Sequence, residues 1–272
     1  MKGLLMKQYL FLYLVLILLL LSCKDVFQYN PNEIRLEENQ RNLNAKNIQK
    51  IKALSPVDTV KFILIGDSQR FYDELEDFVA VANSLKGVAF VILAGDIADF
   101  GLNREYEWIH RILAKLQIPY IGVIGNHDML ANGRTVYKQM FGPENFSFNY
   151  SDNQFICLNT NSIETGFDGS LPDLPWLQLQ LAGLSKYKNA FIISHIPPFS
   201  SEFDKELEHS FSSLLAAHNE VKLSLHGHHH RFSISKPYND GPEYVVVGSL
   251  HKRNYALISV WDEQYKIDEV YY

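Results

Sequence analysis

Five short stretches of this chain, GDSQ, GDIADF, GNHD, SHIPPF and HGHHH, each follow an apolar run. They put Asp67, Asp96, Asn126, His127, His195, His228 and His230 just past the ends of those runs. One Gly-Asp after a strand is ordinary, because Gly and Asp suit turns and helix caps. Turn chemistry has no use, however, for histidine at a fixed offset in three of the five. Carboxylate, amide and imidazole side chains gathered in one cleft are the donor set of a pair of divalent cations. An Asp between two ions balances their charge, while neutral His and Asn add directional donors without overcharging the site. Two such ions, roughly 3.5–4 Å apart, clamp both the attacking and the leaving oxygen of a phosphoryl group. The chemistry expected of these residues is phosphoester hydrolysis.

The elements that must position them follow from hydrophobic period. Short runs rich in Val, Ile and Phe predict strands over 60–65, 88–94, 120–124, 155–158, 190–194 and 221–225, and helical spacing predicts helices over 72–85, 103–116, 174–184 and 207–218. Residues 232–272 alternate as antiparallel strands do. Strands alternating with helices make a layered α/β domain of mixed sheets with helices outside, and the carboxyl edge of such sheets is where ligands bind.

The order of these motifs resembles that of the calcineurin-like metallophosphoesterase superfamily: GDxH, GDxxD, GNH with a following acidic residue, a lone His after a strand, and GHxH, here spread over 62–232. The resemblance implies an α/β fold with a two-sheet β-sandwich core flanked by helices in α/β/β/α layers. It also implies that Asp67 and His230 hold a first metal, that Asp96 bridges two metals, and that Asn126, His195 and His228 hold the second. His127 is implied as the group that contacts phosphate and protonates the leaving alkoxide when a hydroxide activated by the metals attacks, with Asp128 as its partner. Asp99, closing GDxxD, is implied to orient its neighbours rather than bind metal. Helix capping is the other reading of Asp128.

This sequence departs from the pattern at Gln69, where the superfamily has a His. An amide oxygen is a harder, weaker donor than an imidazole, so Gln69 as a ligand predicts two divalent ions with manganese preferred and magnesium, iron or zinc as alternatives. The other reading has Gln69 hydrogen-bonding a water at the metal. Within HGHHH, an extended segment would turn His228 and His230 to one face, leaving His226 and His229 to pack. Phe100 after Asp99, and Asp128 rather than Glu, set the chain apart from protein Ser/Thr phosphatases, and the absence of Tyr at position 99 sets it apart from purple acid phosphatases. Arg70, Tyr72, Arg104, His251, Lys252 and Arg253 lie near the motifs or on a late loop, where solvated surface is the simpler reading.

The rest of the chain bears on location. Its 272 residues suit one domain with appendages, and a net charge of −6 offers no basic footprint for polymeric nucleic acid. Lys2 and Lys7 precede an apolar run ending at Ser22-Cys23, the layout of a secretory signal. LLSC resembles a bacterial lipobox, which implies cleavage before Cys23, lipidation of that Cys, and an extracytoplasmic lipoprotein at the outer membrane or cell surface. The expected organisation is therefore a signal peptide over 1–22, a polar tether over 23–56 with a short amphipathic helix on Leu43, Ile48, Ile51 and Leu54, and a metallophosphoesterase domain over 57–272. The expected substrate is a small phosphorylated molecule, and no protein partner is indicated. The rival reading is a catalytically silent, metal-holding surface lipoprotein that captures phosphorylated ligands.

Overall fold

The computed structural model describes residues 2–21 and 30–272. Cys23 and the rest of the expected tether before residue 30 lie outside the described residues. A first unit, Met1–Glu33, contains helix α1 (Lys2–Leu21); the second runs from Ile34 to Tyr272. Among the described residues, no helix is long and apolar enough to cross a membrane.

In chain order the second unit contains α2 (Leu43–Lys52), β1 (Thr59–Ile65), α3 (Tyr72–Ser84), β2 (Phe90–Ala94), α4 (Asn103–Leu113), β3 (Tyr120–Val123), α5 (Gly133–Met140), β4 (Phe146–Tyr150) and β5 (Asn153–Cys157). There follow α6 (Leu174–Leu181), β6 (Asn189–Ile193), α7 (Lys205–Ala216), β7 (Val221–His226), β8 (Ser233–Ser235), β9 (Glu243–Val246), β10 (Asn254–Trp261) and β11 (Gln264–Tyr271). One sheet has the order β11-β10-β1-β2-β3 and the other β4-β5-β6-β7-β9-β8. The predicted strands and helices form within three residues of their expected ends. α5 and β4 were not legible from period. β9 departs from the expected antiparallel tail, because it runs parallel to β7 and antiparallel only to β8.

The strand period of two divides each central strand between two cores. Phe62 and Leu64 of β1 and Phe90 and Ile92 of β2 face the other sheet, where they meet Phe155 of β5 and Phe191 of β6. Their neighbours Ile63, Ile65, Val91 and Leu93 face outward onto α3, α4 and α5. The second sheet repeats the arrangement, with Ile156 and Ile192 facing α6 and α7. The result is the expected two-sheet sandwich with helices on both outer faces.

Residues 34–56 were expected as a tether, yet they belong to the compact unit. The helix expected there forms as α2 and buries Leu43 and Ile51, while Leu54 is exposed. Its polar residues explain where it docks. β3 is the edge of the first sheet, and its outer backbone groups need partners. Asn44 donates to the Gly122 carbonyl and accepts from the Gly122 N–H at 2.8 and 2.9 Å, and Asn47 donates to the Tyr120 carbonyl at 2.8 Å. α2 thus closes the open edge in place of a further strand.

Candidate metal centre

β1, β2 and β3 are parallel, as are β5, β6 and β7, so the loops that follow them gather at one end of the sandwich. Asp67 follows β1, Asp96 follows β2, and Asn126 and His127 follow β3. His195 follows β6, and His228 and His230 follow β7. The backbone there is unusual: Asp67, Gln69, Asp96, His228 and His230 all have positive φ, between 34° and 75°. Non-glycine residues rarely adopt this region, and clusters of such strain mark functional sites. It also corrects the expectation of an extended HGHHH. His228 and His230 converge because the chain bends at both, not because a strand alternates.

Two motif glycines are required by close approach. A Cβ on Gly95 would overlap the His195 ring, and one on Gly125 would overlap the Asp96 backbone and carboxylate. Gly at these positions lets the loops after β2 and β3 meet.

Asp67 and Asp96 are buried, and each has an oxygen that lies with a His230 nitrogen in one group spanning no more than 4.8 Å. His230 Nε2 is 3.1 Å from Asp67 Oδ1, and the His228 N–H donates to both Asp67 oxygens at 3.1 and 3.2 Å. Gln69 is brought into the same place. Its amide nitrogen donates to Asp96 Oδ2 at 3.0 Å, which leaves Oε1 as the side-chain atom able to meet a cation.

On the other side of Asp96 the geometry is more telling. His195 Nδ1 lies 2.7 Å from the Ala94 carbonyl, which only accepts, so Nδ1 carries a proton. Nε2 then faces Asn126 Oδ1 at 3.0 Å and Asp96 Oδ1 at 3.2 Å. In a neutral ring all three atoms point lone pairs at one place, an arrangement that needs positive charge between them. A proton is one answer. Burial opposes it, but the charges of Asp96 and Asp67 and the Ala94 contact raise His195 to about 9. Burial likewise opposes ionisation of Asp96, but His195 and the His127 N–H at 3.0 Å hold its carboxyl at about 2. A divalent cation is the other answer, since metal binding displaces such ligand protons.

His228 packs its ring edge-on to His195, with centroids 5.1 Å apart. Burial and the His195 charge lower it to about 3, which keeps a neutral imidazole available. His226 is wholly buried, held by the hydroxyls of Ser194 and Ser224 and stacked on Tyr244; His229 is exposed beside Phe199. Neither joins the cluster.

His127 sits at the mouth, with its side chain 36% exposed. Its expected partner is wrong. Asp128 is fully buried and accepts from three backbone N–H groups, Ile97 at 3.1 Å, Ala98 at 2.8 Å and Gly125 at 2.8 Å, tying the loop after β3 to the loop after β2. Nor does it cap a helix: it lies inside a short 3₁₀ turn, His127–Met129. The group on the His127 ring is Asp99, whose carbonyl accepts from Nδ1 at 2.7 Å and whose carboxylate lies 3.7 Å away. Arg70 approaches the same carboxylate at 3.4 Å.

Burial and the nearby Asp96 charge push the Asp128 carboxyl up to about 7, against the pull of its three N–H donors. Those donors make it a structural linchpin. Asp128→Ala leaves them buried and unpaired, at about 1 kcal/mol or more each. With about 3 kcal/mol lost, the midpoint of thermal unfolding should fall by roughly 6–12 °C. Calorimetry checks this, and an unchanged midpoint would show that Asp128 carries no such load.

Sequence reading missed two carboxylates near the centre. Glu202, in the loop after β6, lies 3.3 Å from His228 Nε2. Glu164, beyond β5, is raised by burial and by Glu202, with His127 and Asp96 also acting on it. Neither belongs to a motif; their only signal is that each lies in a loop beyond the carboxyl end of a parallel strand.

Residues 60–232 match the calcineurin-like phosphoesterase family. The chain belongs to that family. The family is one of phosphoesterases, and the chain has the two-sheet fold described above. A curated relative, the probable cyclic nucleotide phosphodiesterase of Ruthia magnifica subsp. Calyptogena magnifica, is 25% identical over 151 residues, 52% of this chain and 62% of that protein. The alignment with this calcineurin-like chain thus spans somewhat less than two thirds of the relative's length. Among solved structures, a dimetal phosphatase from Danio rerio superposes with a TM-score of 0.64 at 15% identity, covering 79% of this chain and 96% of its own. GAP50, the anchor in the inner membrane complex of Plasmodium, superposes with a TM-score of 0.63 at 14% identity, covering 79% and 85%. At these identities the superpositions speak to fold.

Proposed function

We propose that this chain is a dinuclear-metal phosphoesterase, with Asp67, Gln69 and His230 holding one divalent ion, Asn126, His195 and His228 the other, and Asp96 between them. The observation that carries this is the meeting of acceptor atoms from Asp96, Asn126 and His195 at 3.0 and 3.2 Å, with Asp67 and His230 gathered on the opposite side of Asp96. Bound ions supply Lewis acidity to the phosphoryl oxygens and acidify the attacking water. The protein's own share is positional. His127, with Nδ1 held by Asp99, presents Nε2 at the mouth to protonate the departing alkoxide. An amide oxygen from Gln69 favours manganese or magnesium over softer ions.

The test is turnover of an aryl phosphate, an aryl phosphodiester and a cyclic nucleotide, the last prompted by the Ruthia magnifica relative, with and without manganese. Manganese-dependent hydrolysis of any one supports the reading. Stoichiometric manganese binding with no turnover of any phosphoester would favour the capture protein instead, and no manganese binding would defeat both.

For location we propose a lipid anchor on Cys23 after cleavage of residues 1–22, supported by the two early lysines, the apolar run and LLSC. Cys23→Ser should accumulate as unprocessed precursor, whereas wild type should be trimmed and partition into detergent. A normally trimmed N-terminus in the variant would exclude the anchor.

A further inference from the structure

We infer that Glu202 is a positioning residue for His228, fixing its ring so that Nδ1 is the atom offered to metal. The inference rests on the dinuclear reading above. Each imidazole that ligates a metal needs its second nitrogen held, because the acceptor on that nitrogen selects the tautomer and the ring angle. For His195 the holder is the Ala94 carbonyl on Nδ1, and Nε2 is left as donor. For His228 the arrangement is reversed. Glu202 Oε2 lies at ion-pair distance from Nε2, 3.3 Å, and because a carboxylate oxygen accepts only, pairing with it places the ring proton on Nε2 and leaves Nδ1 as the lone-pair atom.

The neighbourhood makes this contact purposeful. His228 has φ +75° and its N–H is committed to Asp67, so the backbone sets where the ring begins but not which nitrogen it offers. The His195 ring limits it on one side and the His229 ring, 5.4 Å away, on another. Among the described residues, Glu202 is the carboxylate whose ion-pair contact is with the His228 ring. Glu202 is itself anchored: its N–H donates to Ser200 Oγ at 3.3 Å, the adjacent Phe203 is fully buried, and Asp204 caps α7 by accepting from the Glu206 N–H. The carboxylate is thus held on a short fixed span while remaining 37% exposed.

The experiment is a calorimetric titration of manganese into metal-free wild type, E202A and E202Q, with the thermal midpoint of each metal-free protein measured alongside. Wild type should bind two ions. E202A should weaken one by about 10–100-fold, the usual effect of removing the partner of a ligating histidine, and leave the other and the midpoint unchanged. E202Q, whose amide oxygen still accepts from Nε2–H, should recover most of the loss. Identical titrations for wild type and E202A would overturn the proposal. So would a lowered midpoint with both sites weakened together, which marks a structural role, or a loss in E202Q as large as in E202A, which marks Glu202 as a direct ligand. If wild type takes up no manganese, the dinuclear reading itself falls and the role of Glu202 falls with it.

Discussion

Asp96→Asn should strip the protein of most of its metal and lower turnover by more than about 100-fold, the upper end of what outer partners of ligands cost. Asp96 touches groups on both sides of the centre. One oxygen faces His195 and accepts the His127 N–H, the other accepts from the Gln69 amide, and its backbone carbonyl accepts the Gln69 N–H at 3.0 Å. An Asn of the same shape keeps one acceptor but loses the charge that offsets two cations, and its NH₂ donors face groups that are already donors. Folding should survive, since Asp96 is not part of any of the three hydrophobic cores. Equilibrium dialysis against manganese followed by metal analysis gives the decisive number. Two ions retained per chain in the variant would show that Asp96 is not shared between them.

His127→Asn should behave differently, keeping both ions and slowing turnover by about 10²–10⁴, the usual share of general acid catalysis. The ring is poised for that task by its contacts. Nδ1 donates to the Asp99 carbonyl, so Nε2 is the nitrogen that, in the imidazolium form, carries the proton to be delivered, and partial exposure at the mouth allows a leaving group to reach it. Because the acid matters only when the leaving group needs protonation, the slowing should shrink as the leaving group improves, from alkyl to nitroaryl esters. A series of aryl and alkyl phosphoesters assayed on both proteins measures this. Equal slowing across the series would assign His127 to phosphate contact alone. Asp99→Ala should share part of the His127 defect, since Arg70 and His127 both lean on its carboxylate.

Much of this site was legible because its residues sit where strands end. Apolar runs mark the strands by period, and the topology of parallel strands sends the following residues to one edge, so Asp67, Asp96, Asn126 and His195 were readable without coordinates. His228 and His230 were readable for a mistaken reason, since bends rather than alternation bring them inward. The docking of α2 was signalled by Leu43 and Ile51, but its two buried asparagines gave no sequence cue of the strand edge they close.

The sequence by itself determined the fold class, the family and the identity of the converging groups, because period and motif order are properties of the chain read in one dimension. Partnership was decided only by the tertiary structure. Asp128 follows His127 directly, yet its carboxylate turns inward to three backbone N–H groups of the adjoining loops, while Asp99, from the previous strand's loop, meets the imidazole. Glu202 reaches His228 across a different pair of loops. Adjacent residues in a tight turn point in different directions, and hydrogen bonds are satisfied by whatever the fold carries within about 3 Å, so the partner of a side chain is set by packing of distant segments rather than by its neighbours in sequence.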